Sequence, residues 1–331
     1  MLTCLWRERD ETVTSGAAVP EGIYLARPPG AHSVARGRRL AVKDLFDTAG
    51  LVTTYGSILF ADHVPTKTAE AVRRLEASGW ENVGKTNLHE FAYGTTSENP
   101  HFGTVPNPLA PTFDHAGPMA RDVATCTELL QVLAPGLSPT ELDLTDVEVG
   151  VLWLEHAEPL VRARVEAASE LFANRRRIEL PLPEGTHAAF LREVADIHRE
   201  LFEEHADSYG ENVRVKLERC LAVTDADYER AAANRERYRE RLHEAAAEVD
   251  LLLTPTLVFV APRVGTDEIA LRGTLTRLTF PFNLTGWPTL ALPCGAAEEG
   301  LPASVQLAAP PGEDARVLAA GKALEHALSL D

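Results

Sequence analysis

Two hydrophobic periods organise this chain, and the first clear one begins at Arg39. The run Arg39-Leu-Ala-Val-Lys-Asp-Leu-Phe-Asp47 predicts a short apolar strand that delivers Lys43. Asp47 to Gly50 reads as a turn, and the β-branched residues from Leu51 to Thr54 predict a second extended piece ending at Gly56-Ser57. From Thr68 to Ser78 the period lengthens to that of a helix, with Ala69, Val72 and Leu75 on one face and Gly79 as its stop. A strand is due next, and Trp80-Glu-Asn-Val83 signals it weakly. Asn87-Leu-His-Glu90 has the spacing of a capping box, which predicts a short helix closed by Gly94.

Thr95 to Pro118 is dense in proline, glycine and asparagine and reads as a loop of the kind that borders a site. Asp122 then caps a helix carrying Val123, Cys126 or Thr127, and Leu130, which ends near Pro135-Gly136. Val147 to Leu154 predicts a buried strand, Pro159 to Asn174 an amphipathic helix, and a short extended segment begins at Ile178. Residues 188–248 form a charged helical covering region, with Leu191, Val194, Ile197 and Leu201 in one stripe and Tyr228, Ala231, Arg235, Tyr238 and Leu242 in another. Asp250 to Val260, Thr289 to Leu292 and Ser304 to Ala308 predict strands, and Asp314 to Leu328 a closing helix. Strands alternating with helices predict an α/β protein with a central sheet covered by helices on both faces. Residues 1–38, broken by Pro20, Pro28 and Pro29, read as an irregular lead-in to a single domain over 39–331.

Composition narrows the partners. A net charge of −17, from 49 acidic against 32 basic residues, repels phosphate backbones and anionic lipid, so neither nucleic acid nor a membrane is expected as a partner. No apolar run reaches the length of a membrane span, and the N-terminus turns charged before a signal core forms, which predicts a cytoplasmic protein. Cys4, Cys126, Cys220 and Cys294 stand too far apart for a metal knuckle or redox pair and read as reduced, mostly buried thiols. His89, His101 and His115 lack metal-ligand spacing. Gly84-Lys85-Thr86 lacks the upstream glycine of a phosphate loop, so no metal and no cofactor is expected.

In order, the motifs Ala41-Val-Lys-Asp44, Gly50-Leu-Val-Thr-Thr54, Gly84-Lys-Thr-Asn-Leu-His-Glu-Phe-Ala92, Glu98-Asn-Pro-His-Phe-Gly-Thr104 and Asp114-His-Ala-Gly-Pro-Met-Ala-Arg121 resemble the front half of the amidase signature family. Leu253-Thr-Pro-Thr256, Pro281-Phe-Asn-Leu-Thr-Gly286 and Leu292-Pro-Cys-Gly295 resemble its back half. The resemblance implies a large mixed sheet flanked by helices. It also implies amide hydrolysis by a serine nucleophile, relayed to a lysine through a second serine in a cis peptide. Lys43 matches the position of that lysine. The two serines belong to a Gly-Ser-rich block expected between the Asn-Pro and Asp-His-Ala-Gly-Pro motifs. Here Asn107-Pro108 is followed at once by Leu109-Ala-Pro-Thr-Phe-Asp114, and the block is absent. Part of the central sheet and a core helix are expected to be missing with it.

Three readings follow from that break. The chain is a descendant of an amide hydrolase, catalytically impaired because both triad serines and the oxyanion loop are gone. Alternatively it is a non-catalytic binding or scaffold protein, with a small amide ligand, a second copy or an intact paralogue as candidate partner, or else the product of a truncated gene. Ser57 and Ser97 flank the presumed site and are weak surrogate nucleophiles for Lys43, with turn roles as the plain alternative. Tyr93 and Phe102 are candidate pocket-lining residues, Lys85 reads as a charge-pairing or packing residue, and Glu90 as the acid of its capping box.

Overall fold

The computed structural model describes residues 2–3, 24–29, 38–94, 98–104, 117–263 and 265–329. In chain order its strands are β1 (Leu2–Thr3), β2 (Tyr24–Ala26), β3 (Arg39–Lys43), β4 (Glu81–Thr86), β5 (Glu98–Asn99), β6 (Gly103–Thr104), β7 (Glu148–Val151), β8 (Asn174–Arg177), β9 (Leu251–Pro255), β10 (Thr289–Ala296) and β11 (Pro302–Ala308). Its helices are α1 (Glu70–Ala77), α2 (Val123–Leu133), α3 (Pro159–Glu170), α4 (His187–His205), α5 (Glu211–Leu221), α6 (Asp225–Ala245), α7 (Glu268–Leu275), α8 (Phe280–Thr285) and α9 (Asp314–Leu328). The chain divides into two compact units, one of residues 1–7, 111–190 and 223–331, the other of residues 8–110 and 191–222.

The first unit is built on a six-stranded mixed sheet in the order β1-β10-β11-β9-β7-β8. Alternation along its strands sends Val149, Val151, Leu251, Leu253, Leu290, Leu292, Val305 and Leu307 into one core with Val161 and Val165 of α3 and Val317 and Leu318 of α9. Each such side chain, fully buried, contributes about 1.5–3 kcal/mol relative to exposure. Toward the opposite face, Gln306 Nε2 donates to Thr254 Oγ1 at 3.1 Å and Leu278 O at 3.3 Å, and Trp153 packs on Phe282 of α8 with ring centroids 5.5 Å apart. The sheet is therefore mixed and helix-flanked, as the sequence predicts. Edge strand β8 is exposed along its whole length, and Arg175, Arg176 and Arg177 pair with Glu170, Glu248 and Glu166. A charged edge of this kind resists further strand addition.

The second unit carries a three-stranded sheet in the order β2-β4-β3 and the two-stranded β5-β6 ribbon. Strand β3 runs parallel to β4, with Val42 opposite Lys85 and Lys43 opposite Thr86. Helix α1 follows the predicted face, burying Val72 and Leu75, and Gly79 ends it at φ +93°.

Local readings fail where side chains outside the window decide the backbone. Residues 51–54 form no strand, because Thr53 and Thr54 are tied by side chains instead of a ladder. The weak signal at Trp80 belongs to a true central strand, β4, whose Gly84 lies at φ +152° with the Tyr24 ring where a Cβ would stand. The strand expected from Ile178 comes earlier, at Asn174, and α3 stops short at Glu170. Ile197 is 58% exposed and leaves the predicted apolar stripe of α4. The described parts of the lead-in hold two short strands, β1 and β2. Cys126, Cys220 and Cys294 are buried, and no helix among the described residues is long and apolar enough to cross a membrane.

Candidate functional site

Strands β3 and β4 place two lysines on opposite faces of one small sheet. In-register parallel partners share a face and neighbours along a strand alternate, so Val42, Lys85 and Asp44 look one way, Lys43 and Thr86 the other. Lys43 is half-buried, whereas Lys85 and Asp44 have no solvent exposure. Lys85 Nζ lies 2.8 Å from Asp44 Oδ1 and donates to Thr53 Oγ1 at 2.7 Å. Burial pushes the Lys85 ammonium below the usual lysine range, opposed by Asp44 and then Asp47. Desolvation thus falls chiefly on Lys85 rather than on Lys43, and of the two roles the sequence offers Lys85, charge pairing or packing, the ion pair with Asp44 is the one seen.

Asp44 also organises the following turn. Its Oδ2 accepts from Thr54 N and from Thr54 Oγ1, both at 2.7 Å, and Thr54 Oγ1 accepts from Gly56 N at 3.0 Å. The turn closes on Ser57, fully buried, whose Oγ donates to Glu90 Oε1 at 2.8 Å and accepts from Leu59 N at 3.4 Å.

Glu90 is not the acid of a capping box. Asn87 Oδ1 accepts from Leu88 N and Asn87 Nδ2 donates to Phe102 O, so the expected N-cap turns elsewhere. The Glu90 carboxylate, fully buried, gathers Ser57 Oγ, the Gly210 N–H at 2.8 Å, and His101 Nε2 at 3.0 Å. Asn99 completes the tie, donating to Gly56 O and Leu88 O at 2.7 Å each. Three segments distant in sequence are therefore fixed to one buried carboxylate.

An aromatic wall covers this polar layer. Tyr55, Phe60 and His63 pack together, Phe60 meets Phe91, and Phe91 contacts His198 and Tyr209 with ring centroids 5.0 and 5.3 Å away. Tyr55 and Phe91 both sit in the left-handed region, at φ 52° and 51°, and Phe91 N donates to Tyr55 O at 2.8 Å. Such backbone costs on the order of 1–3 kcal/mol per residue and persists only where neighbours enforce it. Tyr55 donates to Asp47 Oδ1 at 2.6 Å, and burial with that carboxylate pushes its phenol above the tyrosine range. Burial alone holds the His198 imidazole down, to about 4.

The structure places Tyr93 in the interior, its hydroxyl 3.1 Å from Cys220 Sγ and its carbonyl accepting from Lys216 Nζ at 3.0 Å. Phe102 is half-buried beside His101. Ser97 and His115 lie outside the described residues. Among the described residues no group of three His, Cys, Asp or Glu side chains is placed to hold a metal ion. A surface cleft of about 520 Å³ lies in the first unit, lined by Glu236, Arg239, Glu240, His243, Thr285, Trp287 and Pro311, and includes none of the predicted site residues. Sequence reasoning missed Asp44 and the real task of Glu90. The Lys-Asp dipeptide was the available signal for the first, and nothing local marks the second.

A family model described as Amidase matches residues 31–114 and 109–318, two stretches that meet where the sequence passes from Pro108 to Asp114. An amidase of Pseudomonas putida is 29% identical over 387 aligned positions, covering 88% of this chain and 82% of the relative. Since 88% of 331 residues is about 291, about 96 of those 387 positions hold residues of the relative opposite none of this chain's. A glutamyl-tRNA(Gln) amidotransferase subunit from Thermus thermophilus is 29% identical, with 88% of this chain and 84% of the relative covered. A crystal structure of an amidase superposes with a TM-score of 0.81 at 29% identity, over 92% of each chain.

Proposed function

Because the chain belongs to the amidase family, we propose that it descends from an enzyme hydrolysing a carboxamide C–N bond and that its own hydrolysis is impaired. The observation that carries this reading is the direct passage from Asn107-Pro108 to Asp114, in a chain that leaves about 96 of the 387 positions aligned with its Pseudomonas putida relative without a residue of its own. Lys43 is the residual base of that site. A base accelerates acyl transfer only through a nucleophile within hydrogen-bond reach, and loss of one oxyanion donor alone typically costs about 100-fold to 1,000-fold in turnover. Ser57 is a poor substitute, since it is buried from solvent and commits its proton to Glu90.

Incubating the purified chain with simple aryl amides and with a serine-reactive fluorophosphonate tests the reading. Neither Lys43-dependent turnover nor covalent labelling is expected. Robust hydrolysis abolished by Lys43→Ala overturns it.

A second reading, a non-catalytic protein that binds a partner, draws support from relatives that are by name amidotransferase subunits. It predicts a stoichiometric protein partner on affinity capture from the native cell, and its absence removes that support. A third, the product of a truncated gene, is checked by sequencing the locus across the codons for Pro108 and Leu109. An intact block found there establishes it.

A further inference from the structure

The cleft of about 520 Å³ in the first unit shares no residue with the Lys43 site, and its size is that of a small-ligand pocket. Its walls come from three places in the chain. Helix α6 contributes Glu236, Arg239, Glu240 and His243, the end of α8 and the turn after it contribute Thr285 and Trp287, and Pro311 closes the cleft ahead of α9. Local hydrogen bonds hold these walls. Gly286 ends α8 in the left-handed region at φ 75°, donating to Phe282 O at 2.8 Å, and Trp287 N donates to the same carbonyl at 3.1 Å. This turn seats the largely buried indole on Phe282, with ring centroids 6.4 Å apart. Arg235 Nε donates to Leu284 O at 2.7 Å and ties α6 to the last turn of α8.

The charges in the cleft are unevenly committed. Arg239 Nη1 lies 2.7 Å from Glu236 Oε2, three residues back on the same helix, and the two cancel. Glu240 forms no ion pair among the described residues, so with His243 neutral one net negative charge remains in a cleft lined by an indole. Of the side chains, indole attracts cations best, and its rings supply flat apolar surface as well. An anion would have to draw Arg239 away from Glu236. We propose that this cleft binds a small ammonium ion with a flat apolar body, the ammonium on Glu240 and the body against Trp287 and Pro311. The site stands whether or not the chain hydrolyses amides.

Titration of the isotope-labelled full chain at about pH 7.5 with benzylammonium, benzyl alcohol and phenylacetate tests it, read by NMR at the assigned Trp287 indole N–H. Benzylammonium is expected to shift that resonance saturably, benzyl alcohol to bind about two- to fivefold more weakly, and phenylacetate more weakly still. Glu240→Gln is expected to weaken benzylammonium binding about two- to fivefold, the range of an exposed ion pair; Arg239→Gln, which frees Glu236, is expected to tighten it by about as much. Both positions are exposed on α6, so the fold is expected to survive either change. The proposal is overturned if benzylammonium leaves the resonance unmoved, if the three probes bind alike, if phenylacetate binds more tightly, or if either variant binds as the wild type does.

Discussion

Ser57 Oγ donates to Glu90 Oε1 at 2.8 Å, and neither side chain has measurable solvent exposure. The pair joins the turn after β3 to a segment that also receives Gly210 N, so one carboxylate holds three pieces of chain. Glu90→Ala leaves these donors buried without an acceptor and is expected to cost about 3–5 kcal/mol, against about 1 kcal/mol for Ser57→Ala. Urea unfolding of both variants measures the difference. Equal losses would mean that Glu90 is no anchor.

The depressed His198 imidazole makes stability fall with acid. Its folded value, about 4, lies below the unfolded value of about 6.5, so the unfolded chain binds the extra proton between those limits. Stability is therefore retained above about pH 6.5, declines as pH drops through the window, and loses nothing more from this group below about 4. The full contribution is at most about 3 kcal/mol. His198→Phe keeps a ring against Phe91 and Tyr209 and should flatten this part of the profile. Thermal midpoints of both proteins from pH 4 to pH 7 should diverge; parallel curves would refute the assignment.

Gly94 is required by a neighbour rather than by its backbone. A Cβ placed there would overlap the His89 imidazole, which is itself buried, so neither side can yield freely. Gly94→Ala is expected to lower stability by about 1–3 kcal/mol, the range for overpacking. Combining it with His89→Ala should recover part of the loss, a coupling that a double-mutant unfolding cycle reads directly.

Thiol reactivity tests the core of both units. Cys126, Cys220 and Cys294 are buried, and burial pushes the Cys294 thiol up to about 12. Site-resolved modification with a disulfide reagent at pH 8 should leave all three intact in the folded protein and label them in denaturant. Rapid native labelling of Cys294 would contradict the burial of this β10 side chain in the core.

Much of the first unit was legible locally. The strands within Val147 to Leu154 and Thr289 to Leu292 follow from short continuous apolar runs, and the helix Asp314 to Leu328 from the 3.6-residue repeat, because a strand buried on both faces and a helix laid over it stay apolar whatever their partners. Asp122 caps its helix as its position predicts, accepting from Thr125 N at 2.7 Å. The capping box at Asn87 fails for the opposite reason. Its two side chains find stronger partners, in Phe102 and in Ser57 with Gly210, which no window of a few residues contains.

The sequence by itself determined the family and the direct passage from Pro108 to Leu109, since ordered motifs and their spacing are properties of the one-dimensional string. Only the tertiary structure decided which lysine loses its water. A lysine among apolar neighbours in the string need not be buried in space. The pleat turned Lys43 to a half-buried face and sent Lys85 to meet Asp44 in the interior. Charge burial depends on what a strand packs against, and here that is set by Asp44, Thr53 and Lys85 together, three residues that no short window of sequence contains.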